Sequence, residues 1–225
     1  MTSKLTYRIF ILFFFTTLLT TGQAHAKKNN PRKELSMAIE AGDYKKFKRL
    51  VKSGKFDLDE PYHSSSPLIE TCEKARVDMI KYLIKKGAII EGLSKKTPLT
   101  EFIKSGCSIL SPETLLSTID VFLIAGANIN YPGEEGYTPF MFACLESKSE
   151  KVLQGLIDRG ADINYQQGND QKAPIFMAIE SSNFIALDLL IKNDVSPSVL
   201  FDGISPLNFA CFEGNLKAVE TLVEK

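Results

Sequence analysis

Apolar residues return along this chain in short pairs: Leu50-Val51, Leu83-Ile84, Leu123-Ile124, Leu156-Ile157, Leu190-Ile191 and Leu222-Val223. Phe47, Ile80, Val152, Leu187 and Val219 stand one helical turn earlier on the same face, so each pair predicts an amphipathic helix. Upstream of these helices a second signal repeats: Ser66-Pro67-Leu68, Thr97-Pro98-Leu99, Thr138-Pro139-Phe140, Ala173-Pro174-Ile175 and Ser205-Pro206-Leu207. Their prolines are 31, 41, 35 and 32 residues apart, and Glu34-Leu35 takes the same place 33 residues before Pro67. A small side chain follows four residues later at Ala38, Thr71, Ala143, Ala178 and Ala210, with Phe102 the exception.

The spacing has a physical logic. Proline suits the first turn of a helix, where its missing N–H leaves no bond unmade, and the Ser or Thr before it can cap that turn. The small residue lets this first helix lie close to its neighbours. The apolar pair marks a second helix, and Gly87, Gly126 and Gly160 end it where a left-handed residue is favoured. One such unit exposes too much apolar surface to fold alone, so the units must stack into a continuous core.

The pattern resembles the ankyrin repeat, whose signature is T-P-L-H-x-A followed by L-L-x-x-G-A-D-I-N; Gly126-Ala127-Asn128-Ile129-Asn130 and Gly160-Ala161-Asp162-Ile163-Asn164 carry its second half. The resemblance implies an all-α repeat solenoid of about six stacked helix-turn-helix units with protruding loops. The units run over about 34–63, 64–94, 95–135, 136–170, 171–202 and 203–225. Four departures stand out. The family's His after T-P-L, which commonly ties loops by hydrogen bonds, is replaced by Ile69, Thr100, Met141, Phe176 and Asn208, so looser loops are expected. The third unit holds extra residues around Cys107 to Glu113, with Ser111-Pro112-Glu113 shaped like a helix start. The fifth has Asn193-Asp194 in place of Gly. The sixth stops at Lys225, one residue short of the expected Gly, so either its helix closes the array or further chain follows.

The N-terminus reads as an address. Lys4 and Arg8 precede the apolar run Ile9 to Leu19, and Ala24-His25-Ala26 supplies a small-x-small cleavage signal, predicting a signal peptide over 1–26 and a polar basic linker over 27–33. The run is short for a membrane span, which needs about 20 residues. Export to a periplasm is expected, with full secretion the alternative. Without Lys4 and Arg8 the balance is 25 basic against 27 acidic residues, a net of −2, and that is no nucleic-acid footprint.

Little chemistry is on offer. Cys72, Cys144 and Cys211 share one register, five residues after their prolines, and are expected to be buried and too far apart for a bridge. Cys107, at the far end of its helix, is badly placed to reach Cys72 or Cys144. His63 is the one histidine after cleavage, in a loop. Asp57, Asp59 and Glu60 lack the full pattern of a cation loop. No catalytic, cofactor or metal residue is assigned, and the resemblance implies protein binding without catalysis.

Ankyrin-like arrays bind proteins along the face made of loop tips and first helices. Tyr131 and Tyr165 follow the Ile-Asn pairs at one register, and with Tyr62 and Phe201 they are candidates for an aromatic edge; packing of each ring across its own loop is the alternative. Glu134 and Glu135 form an acidic tip that could steer a partner. Glu70 and Glu101, where the family has a core Leu, mark either an altered surface or a shifted register. The function expected is that of an exported interaction module that scaffolds or inhibits an unidentified protein. The alternatives are a secreted effector acting on a host protein, or an enzyme using the carboxylates of Asp57, Asp59 and Glu60. The mature chain offers no membrane span, and its oligomeric state is open.

Overall fold

The computed structural model describes residues 30–55, 57–91, 96–133, 136–166 and 172–224; the expected signal peptide, Lys27 to Asn29, Glu134 and Glu135 lie outside the described residues. Twelve described helices form six pairs: α1 (Pro31–Ala41) with α2 (Tyr44–Lys52), α3 (Pro67–Glu73) with α4 (Val77–Lys85), α5 (Pro98–Gly106) with α6 (Pro112–Ile124), α7 (Pro139–Glu146) with α8 (Glu150–Ile157), α9 (Pro174–Glu180) with α10 (Phe184–Lys192) and α11 (Pro206–Phe212) with α12 (Leu216–Val223). First helices stack on first helices and second on second, giving two layers. One buried cluster runs between the layers from Leu35 to Ala218. The fold is the all-α repeat solenoid that the resemblance to the ankyrin repeat implies.

Local chemistry sets the helix ends. The hydroxyls of Ser66, Thr97, Ser111, Thr138 and Ser205 each accept the backbone N–H three residues on, directly ahead of a proline at the first helical position. Ser111 thus opens α6, as its sequence predicts, and the extra residues of the third unit lengthen both of its helices and the turn between them, α6 most of all. Gly87, Gly126 and Gly160 have φ of 84°, 98° and 89°. In the fifth unit Asp194 takes the left-handed position with φ 56°, which its short polar side chain tolerates better than most.

The stacking register decides exposure. The residue after each proline is covered by the following unit: Leu68, Leu99, Phe140 and Ile175 are at most 2% exposed, whereas Leu207 is 37% exposed. The same holds one turn further on. Cys72 and Cys144 are fully buried, but Cys211 is exposed, which corrects its expected burial: none of the described units covers it.

The loops are not loosely held. Where the family's histidine is missing, acidic and amide side chains reach the backbone of the following unit. Asp59 Oδ1 accepts from Ile89 N at 2.8 Å, Glu91 Oε1 from Asn128 N at 2.5 Å, and Asn164 Oδ1 from Ser196 N at 2.8 Å. Asn130 works in both directions, accepting from Asp162 N at 2.8 Å and donating to Gly160 O at 2.9 Å. A second set of stitches joins the helical layers. Arg76, Asn183 and Asn215, each the N-cap of a second helix, donate to carbonyls at the end of the preceding unit's first helix.

Candidate protein-binding surface

The Tyr62 and Phe201 tips are two-residue hairpins. Tyr62 and Ser65 exchange both backbone hydrogen bonds, as do Phe201 and Ile204. Their central residues all have positive φ, His63 50° and Ser64 70° in one, Asp202 50° and Gly203 75° in the other, the signature of a type I′ turn. Asp-Gly is the sequence such a turn favours; His-Ser is not, so the first tip needs support from elsewhere.

Arg32 supplies it. The helix begins at Pro31, capped by Asn30, so the last three residues of the expected linker belong to α1. Arg32 is 3% exposed. Its Nε donates to Glu60 O at 3.1 Å and its Nη2 to Ser65 O at 3.0 Å, and the guanidinium lies 5.6 Å from the centre of the Tyr62 ring. It is also ion-paired with Glu70, so the acidic residue at a core Leu position is accounted for by a buried partner and the register stands. The remaining nitrogen, Nη1, has no hydrogen-bond partner among the described residues. A cleft of about 210 Å³ opens beside this tip, lined by Tyr62, His63, Glu40, Glu70, Glu73 and Lys74. Two of its carboxylates are also paired, Glu40 with Lys74 and Glu73 with Lys96.

The four aromatic candidates have different surroundings. Tyr62 is half-buried, its ring 4.1 Å from that of His63. Tyr131 is 36% exposed at the base of its loop. Tyr165 is half-buried against the core, and desolvation, with a smaller effect of Asp162, raises its hydroxyl pKa above the usual tyrosine value. Phe201 is turned inward, with ring centres 5.8 Å from Phe176 and 5.9 Å from Phe209, and Lys172 caps it at 5.2 Å. Phe201 therefore packs between the fifth and sixth units, while Tyr62 and Tyr131 remain the more open rings. Glu134 and Glu135 lie outside the described residues.

One feature of the surface escaped the sequence reading. Phe142 is half-buried, stacks edge-on with Tyr137 at 5.8 Å, and lies under Lys104 at 5.3 Å. Its spacing after Pro139 matches that of the buried Met177 and Phe209, so only the stack distinguishes it. The carboxylates of Asp57 and Asp59 accept backbone N–H groups of Asp59 and Ile89, and so build the loop.

The ankyrin repeat family pattern matches residues 135–167, which is the fourth unit. The chain is 24% identical over 224 residues to the ankyrin repeat and KH domain-containing protein mask-1 of Caenorhabditis elegans, covering 88% of this chain and 8% of that protein. It is 27% identical over 147 residues to the B-cell lymphoma 3 protein homolog of Mus musculus, covering 65% of this chain and 32% of the relative. The chain thus spans only a part of these curated relatives. Among solved structures, a chain from the predatory endopeptidase Bd0816 of Bdellovibrio bacteriovorus in complex with immunity protein Bd3460 superposes with a TM-score of 0.71 at 22% identity, covering 86% of this chain and 98% of that one. With six helix pairs among its described residues and its fourth unit matched by the ankyrin repeat pattern, this chain has the fold of an ankyrin-repeat solenoid.

Proposed function

We propose that the chain is a non-catalytic protein-binding module of an exported compartment, the periplasm by preference, that scaffolds or inhibits one protein through its hairpin tips and first-helix face. The observation that carries this reading is the fixed loop edge. Side chains from Asp59 to Asn164 tie each loop to the following unit, and Arg32 anchors the Tyr62 tip, so the edge is ordered before a partner arrives. A preorganised edge loses less conformational entropy on binding, the largest avoidable cost of association. The half-buried Tyr62, the exposed Tyr131, and Phe142 under Lys104 offer the amphipathic contact area that protein interfaces favour. The likeness to a chain from a complex of an endopeptidase with an immunity protein supports inhibition among the possible uses of binding.

The test is affinity capture from a periplasmic extract of the source organism, with wild-type protein beside a Tyr62→Ala/Tyr131→Ala variant. One protein retained by the wild type and lost by the variant, with unchanged circular dichroism, is the expected result. Equal retention by both removes the aromatic residues from the interface. Recovery of the native protein in the medium and not in the periplasm would favour the secreted-effector alternative.

A further inference from the structure

The overall charge of the chain is zero, yet its basic residues are unevenly spread. On α2, Lys45, Arg49 and Lys52 recur at intervals of four and three residues on the side opposite the buried Phe47 and Val51. On α4, Lys81 and Lys85 lie opposite the buried Met79 and Leu83, with Lys86 directly after them. All six are exposed. Because α2 packs on α4 in the second-helix layer, these cations form one ridge on the side away from the first helices.

None of the six takes part in an ion pair among the described residues. Lys86 rests over the ring of Tyr82 at 5.9 Å, where Lys48 also sits at 5.7 Å, adding a further cation to the same flank. Asp78 is the single carboxylate in α2 and α4. Like charges three and four residues apart on a helix repel, so the ridge is destabilising by itself and would be relieved by an anionic surface.

We propose that this ridge docks the protein peripherally on a bilayer containing anionic lipid, leaving the first-helix face turned away from the membrane. Two observations favour a lipid surface over an acidic protein. Five of the six cations are lysines, strongly hydrated point charges that are depleted at protein interfaces, where arginine is enriched. The ridge is built from the outer side of two helices and faces away from the first helices, which fits an extended surface better than a shaped partner. Anionic lipids attract such a cluster without any bidentate geometry, and the attraction falls off within a Debye length.

Co-sedimentation of the full chain with vesicles tests this, comparing equal parts of phosphatidylglycerol and phosphatidylcholine with phosphatidylcholine alone. Each cation neutralised should lower partitioning about fivefold. K45Q/R49Q/K81Q/K85Q should therefore lose roughly several hundredfold on anionic vesicles and bind phosphatidylcholine as the wild type does. K148Q/K192Q, at the other end of the array, should bind both as the wild type does. Raised salt should release the wild type from the anionic vesicles. Should the fourfold variant lose helix signal, K81Q/K85Q alone should still show about a 25-fold loss. Equal wild-type binding to both vesicle types, a ridge variant that binds anionic vesicles undiminished, or retention on duplex DNA or an acidic protein without vesicle binding would overturn the proposal. The ridge variant should retain its protein partner in the capture experiment above, so the two readings fail separately.

Discussion

Asn183 is the strongest single test of how the units are joined. It is 1% exposed. Its Nδ2 donates to Cys144 O at 2.8 Å and to Ser147 O at 2.7 Å, while its Oδ1 accepts Ala186 N at 3.3 Å as the cap of α10. Asn183→Ala removes all three. Loss of the cap costs about 1 kcal/mol. The Ser147 carbonyl, stripped of its buried donor, adds about 1–3 kcal/mol. The Ser181 hydroxyl is 3.3 Å from Cys144 O but 2.8 Å from Met177 O and has one proton to give, so the Cys144 carbonyl keeps at most a shared donor. The sum is about 3 kcal/mol, which for a chain of this length lowers Tm by roughly 6–12 °C. Because the stitch links the fourth and fifth units, the variant should also uncouple the array, seen as a lower denaturant slope. Urea unfolding followed by far-ultraviolet circular dichroism reads both quantities. Asn215→Ala is the internal control: Asn215 donates to Ile179 O at 2.9 Å but is half-buried, so its replacement should cost clearly less. A loss below about 0.5 kcal/mol for Asn183→Ala, or equal losses for both variants, would refute the stitch as a source of stability.

Three further outcomes follow from the same structure. Arg32→Ala strands Glu70 in a buried site and should cost about 3–5 kcal/mol, whereas replacing Arg32 by Met and Glu70 by Leu together should cost far less; thermal melts of the two variants decide it. Asp120 accepts two bonds from Arg159, at 2.7 and 3.0 Å, and these hold its carboxyl below the usual carboxylate range. Its stabilising share, about 0.2–1 kcal/mol for a part-exposed pair, is present above the unfolded value near pH 3.9 and is lost as pH falls through the lower folded value. Asp120→Asn should therefore destabilise at pH 7 and converge on the wild type toward pH 2 in urea titrations; a constant gap across that range would count against the pair. Disulfide-exchange labelling of the native protein at pH 8 should modify Cys211 quickly. Burial raises the Cys72 and Cys144 thiols above the usual range and pushes Cys107 up to about 12, so those three should wait for unfolding, and two or more fast thiols would contradict the register.

Part of the candidate edge was visible before the structure. The Tyr131 and Tyr165 positions followed from the Ile-Asn register. The Tyr62 tip was not legible as a hairpin, since His63 and Ser64 do not favour positive φ and the Ser65 carbonyl beside them is held by Arg32, 33 residues away. Nor could the sequence separate Phe142, half-open beneath Lys104, from Met177 and Phe209 at the same register.

The sequence by itself determined the repeating unit. Its prolines, hydroxyl caps, glycines and apolar pairs act within a few residues of one another, and such local rules hold whatever the neighbours do. Tertiary structure decided what the units do to each other. Whether Cys211 is covered, whether Asp59 or Asn164 ties a loop, and whether Arg32 is linker or buried anchor all depend on groups 30 or more residues distant. Those partners are brought together by the rotation between stacked helix pairs, and no spacing along the chain encodes that rotation directly.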